Sequence, residues 1–368
     1  MTEPFDLIDE LGPEKVIHIH DPATGLKAIL VIDNVAAGLA IGGCRMAVDV
    51  SLDECARLAR AMTLKNAAAG LPHGRAKSVI IGDPKMPLAE KERLIRSFAY
   101  AIKNIPDYIV GPDMGTDEIC MAWCHDITGR AVGLPREIGG IPLDLIGATG
   151  YGLCAAIEVA SEFCDLDLYG ATFVVQGFGS VGIHVSRFLA EKGAVLVGVA
   201  DIYGGLADSN GLDVAALMAI KGEGGKVQDL DSGEKIDREG VIDIACDIWI
   251  PAAQPDVIRM ENVQRLNTKI FAQGANIPAS LDAEQNLEQR GTIILPDFIA
   301  NAGGVICGAV EYHGRSELQA MSSIADKVAN NTRNMLERAK AEGISSREAA
   351  MKMAVERVRQ AMQYRKTH

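Results

Sequence analysis

Apolar residues in this chain occur in two arrangements. Some form short uninterrupted runs rich in β-branched residues; others recur every three or four positions over longer stretches. Residues 15–20 (KVIHIH) and 27–32 (KAILVI) predict two strands, separated by the turn-forming DPATG. A third strand is expected over 38–43. The segment 51–70 (SLDECARLARAMTLKNAAAG) predicts a helix: Ser51 is the N-cap, Glu54 stands three residues on, and Gly70 ends it. A buried strand over 77–82, a helix over 88–103 and a strand over 108–113 complete a first α/β unit.

A second unit opens near Gly147. It predicts a helix over 150–164, a strand over 171–177, a helix over 181–192, a strand over 194–201 and a helix over 212–221. Further strands follow over 247–253, 269–274 and 292–297. These strands are apolar throughout rather than alternating, as in a parallel sheet covered on both faces. The tail, 316–366, predicts amphipathic helix.

At 368 residues, and about 150 per domain, two domains are expected. Hydrophobic residues make up 48% and charged residues 23%, enough apolar material for two cores. The formal charge, 36 basic against 49 acidic residues, is −13. Such a surface repels phosphate backbones and anionic lipid, so neither nucleic acid nor membrane is expected as a partner. No apolar run approaches the ~18 residues of a membrane span. The start, MTEPFDLIDE, lacks a basic segment followed by an apolar one, so a cytoplasmic protein is expected. None of the eight cysteines forms a C-x-x-C pair. Cys120, Cys124 and His125 come nearest to a metal constellation, but their spacing also suits one side of a buried helix, and no metal site is expected. The others sit among Ala, Val and Ile as reduced thiols.

The strongest local motif is FVVQGFGSVG. Gly177, Gly179 and Gly182 form G-x-G-x-x-G between a strand and a helix, with Phe178, Ser180 and Val181 in the loop. The first glycine permits the turn, the second admits a pyrophosphate, and the third lets helix and strand pack closely. The helix N-terminus offers free N–H groups to the anion. Asp201 ends the next strand 19 residues after Gly182. A carboxylate there suits ribose hydroxyls and repels a 2′-phosphate, which favours NAD over NADP.

The first unit carries another signal. Lys65 lies in an apolar helical segment, Lys77 precedes a buried strand, and Asp113 ends a strand in GPDMGT. Buried lysines are costly unless paired. Two near an acid point to an anionic substrate, and a desolvated lysine beside another cation can act as a base near neutral pH. On local pattern alone, each lysine taken separately reads rather as a residue that buries its stem and reaches water.

The motifs GGCRM (42–46), MTLKNAAAGLPHGRAK (62–77), GPDMGT (111–116), ATGYG (148–152), GFGSVG (177–182), AQGANIP (272–278) and LPDFIANAGGVI (295–306) stand in a recognisable order. The chain resembles the glutamate, leucine, phenylalanine and valine dehydrogenase superfamily, on the side of its leucine and phenylalanine branch. The resemblance implies two α/β domains: an N-terminal substrate-binding and oligomerisation domain (1–146, joined by helices about 330–368) and a Rossmann NAD-binding domain (147–329). It implies an active site in the cleft between them and a homo-oligomer. The implied reaction converts an L-amino acid, water and NAD⁺ to a 2-oxo acid, ammonia and NADH. By the same resemblance, Lys77 and Asp113 are catalytic: Lys77 activates water and Asp113 exchanges protons with the amine. Lys65 binds the α-carboxylate, with Met62 and the Gly43 backbone close by. Thr149, Ala252 and Asn276 contact the cofactor, and Asn301 faces the substrate.

Side-chain selectivity is implied the same way. Glutamate-type relatives carry a lysine where this chain has Ile41 and a serine where it has Gly308. Gly111 resembles the phenylalanine type, and Val305 the leucine type. A nonpolar substrate, branched-chain or aromatic, is therefore expected. One departure stands out: the loop before Lys77 reads Gly74-Arg75-Ala76, where the family usually has G-G-G or G-G-A, so that Arg75 replaces a glycine. That glycine's freedom at positive φ is lost; Arg75 either closes the site, binds an extra anion or points outward. Two other readings share the fold: a catalytically weak NAD- or amino-acid-binding relative, and a different Rossmann enzyme such as a 2-hydroxy-acid dehydrogenase. The latter needs a catalytic histidine, for which His73 is the only candidate.

Overall fold

The computed structural model describes residues 4–365. The chain divides into two units. The first runs to Leu143 and takes in Val305–Ala320 and the chain from Lys352 onward; the second is Asp144–Gly304 with Met321–Met351.

In the first unit lie β1 (Lys15–Asp21), β2 (Leu26–Asn34), β3 (Ala40–Ala47), α1 (Leu52–Ala68), β4 (Gly74–Ile81), α2 (Leu88–Ile102), β5 (Tyr108–Pro112) and α3 (Glu118–Thr128). Among the described residues they form a five-stranded sheet, ordered β1-β2-β4-β3-β5. The β1–β2 and β2–β4 pairs are antiparallel, while β3 runs parallel to β4 and to β5. The sheet is therefore mixed. Ser51 caps α1, accepting from Glu54 N at 3.2 Å, as the pattern predicts. One sheet face packs on α1 through Ile29, Val31, Cys55, Ala59 and Val79. The other buries Leu30, Ile32, Ile80, Phe98 and Met121. Cys120 and Cys124 belong to this second core, on the inner side of α3, in keeping with a spacing that suits one side of a buried helix.

After α4 (Leu143–Ile146), the second unit holds α5 (Ala148–Glu162), β6 (Thr172–Gln176), α6 (Ser180–Glu191), β7 (Val195–Asp201), β8 (Gly204–Ala207), α7 (Val214–Gly222), β9 (Glu234–Ile236), β10 (Cys246–Pro251), β11 (Thr268–Ala272), α8 (Leu281–Gln289), β12 (Ile293–Leu295) and α9 (Asp297–Ala300). The described strands make a seven-stranded sheet, β12-β11-β10-β6-β7-β8-β9. Its five apolar strands are parallel, as expected. The antiparallel pair β8–β9 was not legible, because its strands are short and one is largely exposed. The segment Leu143–Glu162 has the length and apolarity of a membrane span, yet α5 is a core helix, with Leu153, Ala156, Ile157 and Ala160 buried.

The C-terminal helices are α10 (Gly303–Tyr312), α11 (Glu317–Glu342) and α12 (Ser346–Tyr364). The predicted tail is thus two helices, parted at Gly343, whose φ is 65°. Residue 366, where the predicted tail ended, lies outside the described residues.

Candidate active site

The parallel strands β3, β4 and β5 bring three motifs to one place. Lys77 comes from the middle of β4 and is nearly buried, its side chain 7% exposed. Asp113 follows β5. Its N–H donates to Thr116 Oγ1 at 3.0 Å, and its Oδ1 accepts from Met114 N at 2.7 Å. Oδ2 is left to face Lys77 Nζ, with which it forms an ion pair. Arg45 of β3 approaches the same oxygen at 3.6 Å and donates to Glu54 of α1 at 2.5 Å.

Burial lowers the Lys77 pKa to about 8, with the Arg45 charge acting in the same direction. Lys77 thus sits where an amine can give up and regain a proton near neutrality. Gly43 of β3 lies between the partners: a Cβ there would stand 3.0 Å from Asp113 Cβ and 3.2 Å from Lys77 Nζ. Gly111 of β5 is the register neighbour of Gly43. A Cβ on Gly111 would come 3.2 Å from Val132 Cγ2, and one on Gly308 of α10 would come 3.7 Å from the same atom. Gly111, Gly308 and Val132 therefore form one small apolar niche. Ile41 is buried on the same strand as Gly43. Lys65 and Met62 are half-buried near the end of α1, and Val305 is half-buried on α10.

Arg75 is an interior residue, 3% exposed. It occupies β4 in extended backbone, so no positive φ is required of it. Pointing outward is excluded: Nη1 donates to Ile41 O at 2.7 Å and Nη2 donates to Asn66 Oδ1 of α1. His73 lies beside Leu39 O (3.2 Å) and His313 Nε2 (3.1 Å), so both its ring nitrogens have neighbours within hydrogen-bonding distance. His368 lies outside the described residues.

The second unit carries the other motifs at the C-terminal ends of its parallel strands. Gly177 has φ 104°, and a Cβ on Gly182 would collide with Gly177 O. Gly179 faces open space, with nothing within 4 Å of a built Cβ. It precedes α6 without a side-chain cap, so the first N–H groups of Ser180, Val181 and Gly182 are free for an anion. Phe178 is buried beneath the loop. A polar crevice of about 160 Å³ is lined by Gln176 and Gln254 with charges of both signs, Arg238 and Arg259 beside Glu239 and Asp256. Gln176 Oε1 is buried there with no hydrogen-bond partner. An open glycine, an uncapped helix and an orphaned acceptor fit a dinucleotide.

Thr149 lies in the first turn of α5, against Gly303, where any Cβ would meet the α5 backbone. Ala252 N donates to Gln176 O at 2.7 Å. Asn301 Nδ2 donates to Asn276 Oδ1 at 3.0 Å and to Gly274 O at 3.3 Å. Asp297 Oδ2 accepts from Ile277 N at 3.0 Å, which joins the AQGANIP and LPDF motifs. Asp201 is buried and already occupied: Oδ1 accepts from Tyr203 N at 2.8 Å, and Oδ2 accepts from Lys221 Nζ and Val227 N, each at 3.1 Å.

Two family models match the chain: glutamate/leucine/phenylalanine/valine dehydrogenase over residues 139–366, and the dimerisation domain of the same enzymes over 13–130. The chain belongs to the Glu/Leu/Phe/Val dehydrogenase family. An NADP-specific glutamate dehydrogenase from Saccharolobus shibatae is 36% identical over 391 residues, covering 98% of this chain and 92% of its own. The hetero-hexameric glutamate dehydrogenase of Thermus thermophilus, solved in a Leu-bound form, superposes with a TM-score of 0.84 at 28% identity, covering 97% of this chain and 91% of its own. The L-tryptophan dehydrogenase of Nostoc punctiforme gives 0.79 at 25% identity, covering 98% and 99%.

As a family member the chain is an amino-acid dehydrogenase, an oxidoreductase that works with a nicotinamide dinucleotide. Sequence reasoning missed three residues around the first-unit site. Arg45 sits in GGCRM, but only the fold shows which acid it approaches. Val132 lies in no motif. Glu311 is buried, and it accepts from Leu134 N (3.1 Å) and Ile141 N (2.9 Å), fixing the segment that follows Val132. A glutamate in the apolar run GVICGAVEY was the available signal for it.

Proposed function

We propose that this dehydrogenase catalyses the reversible oxidative deamination of a nonpolar L-amino acid, with NAD preferred. The observation that carries the reading is the nearly buried Lys77–Asp113 pair, set over Gly43 beside an apolar niche. In the proposed reaction Lys65 holds the α-carboxylate, and Asp113 takes a proton from the substrate ammonium. A nicotinamide dinucleotide held by the Gly177 to Gly182 loop would supply the acceptor for the Cα hydride. Lys77, in its neutral form, then takes a proton from water as the water oxygen bonds to the imine carbon. Asp113 returns a proton to the departing nitrogen; as the C–N bond breaks, the carbinolamine hydroxyl passes its proton to the leaving ammonia, giving 2-oxo acid and ammonium, and Lys77 releases its own proton to solvent. Thr149, Asn276 and Asn301 are assigned to positioning nicotinamide and substrate, and Gly177 to Gly182 with Ala252 to holding the dinucleotide.

The nonpolar preference rests on Ile41, Gly111, Gly308 and Val132. A glutamate side chain in such a niche leaves a carboxylate desolvated, at several kcal/mol. The preference for NAD rests on the fixed carboxylate of Asp201. We further assign the protein to the cytoplasm as a homo-oligomer, in line with the dimerisation domain of its family. The test is kcat/KM for L-Phe, L-Trp, L-Leu, L-Val and L-Glu with each coenzyme. A graded preference among the four nonpolar substrates is expected; a clear preference for L-Glu overturns the substrate assignment.

A further inference from the structure

Arg75 is a buried cation with no acidic partner among the described residues. Its Nη groups donate to an amide oxygen and a backbone carbonyl, and its Nε has no partner. Burial draws its pKa down to about 9, which still leaves it charged at neutral pH. A charge placed so has to be compensated by what it does, because neutral dipoles repay its desolvation poorly.

Its place in the sheet indicates the role. Arg75 and Lys77 are two residues apart on β4, so their side chains leave the same face. Ile41 is the register partner of Arg75 on β3, and Val31 is that of Lys77 on β2. Asn66, the second anchor, follows Lys65 on α1 and donates to Gly74 O at 3.3 Å. The guanidinium therefore ties together β3, the start of β4 and the end of α1, the three segments that carry the proposed substrate contacts.

We propose that Arg75 is a positioning residue for Lys77: it clamps Ile41 and Asn66 and fixes, on the lysine's face of β4, a permanent, unneutralised cation that joins burial and Arg45 in setting the pH range of turnover. The inference rests on the reading of Lys77 as the base. The other charged and titratable groups around Lys77 are accounted for. Asp113 pairs with it; Arg45 from β3 adds positive charge and is itself engaged by Glu54 of α1. Cys44 and Cys55 are thiols that burial pushes up to about 12, so they stay neutral. Asp33 of β2 is committed to Arg60 and Thr63 of α1. Lys65 adds a further cation on α1. Arg75 is the charge that the rest of the family pattern lacks.

The test compares wild type with Arg75→Gln, Arg75→Lys and Asn66→Asp, the last of which keeps an acceptor for the guanidinium but neutralises it. Two quantities are followed against pH: the rate of Lys77 acetylation by acetic anhydride, read by peptide mass spectrometry, and kcat/KM. In the Gln and Asp variants both profiles should move alkaline by about one unit, as expected for a neighbouring charge in a partly shielded interior. Lys77 reactivity at pH 7 then falls about tenfold. Arg75→Lys should stay near wild type. Unmoved profiles in Arg75→Gln or Asn66→Asp overturn the proposal, and so does an equal shift in Arg75→Lys. Should Arg75→Gln fail to fold, Asn66→Asp decides. Acetylation needs no turnover, so an enzyme that oxidises no amino acid counts against the functional reading alone.

Discussion

Lys77 and Asp113 pair across a strand that belongs to neither of them. In the order β4-β3-β5 the partners flank β3, and the ion pair passes over Gly43. The residue that makes room for it carries no side chain. Gly43→Ala should therefore drive a methyl between the pair, with kcat falling at least about tenfold for a misplaced proton-transfer group. Destabilisation by overpacking should stay within about 1–3 kcal/mol. Steady-state kinetics beside a thermal melt checks this; wild-type kcat would show that the pair needs no such room.

Lys77→Ala should lower kcat by about 10² or more, the usual loss for a missing general base. Dinucleotide binding should persist, because the glycine loop and α6 belong to the second unit. Fluorescence titration with NADH, set against turnover, separates the two. A variant with near-normal kcat removes Lys77 from the chemistry.

The pH dependence has a definite sign. Burial lowers Lys77 to about 8, and the neutral amine is the working form. Activity should then rise with pH, climbing about tenfold per unit below pH 8 and levelling above it. A kcat/KM profile already flat from pH 6 to 8 contradicts a base at this position.

Asp201 and Lys221 are paired at 3.1 Å at the end of β7. Asp201→Ser removes a carboxylate that repels a 2′-phosphate and frees an ammonium that attracts one. The NAD/NADP ratio of kcat/KM should exceed one in wild type and fall at least about tenfold in the variant, the scale of one charged hydrogen bond gained or lost. A wild type indifferent to the 2′-phosphate opposes the assignment.

Val132 is the side chain that both Gly111 and Gly308 face. Val132→Ala should enlarge the niche and raise the L-Trp/L-Val ratio of kcat/KM by about 10-fold or more, since each methylene of space is worth ~1–3 kcal/mol. The same ratio in wild type and variant places the substrate side chain elsewhere.

Much of this was legible along the chain because it depends on near neighbours. Period and capping set out α1 from Ser51, and the five apolar strands of the second sheet read directly as parallel. G-x-G-x-x-G declares its turn because three glycines each answer a local steric demand. Other features depend on strand order and register, which no local pattern encodes. The mixed first sheet places β3 between β4 and β5, and so lets Gly43 stand between Lys77 and Asp113. The contact of Gly111, Val132 and Gly308 joins positions far apart in sequence through packing alone. Arg75 shows the difference most clearly. In sequence it is a large cation in a glycine's place, consistent with opposite roles. Burial and two hydrogen bonds across three elements decide its role, because the cost of an interior charge depends on what surrounds it, and only the tertiary structure supplies the surroundings.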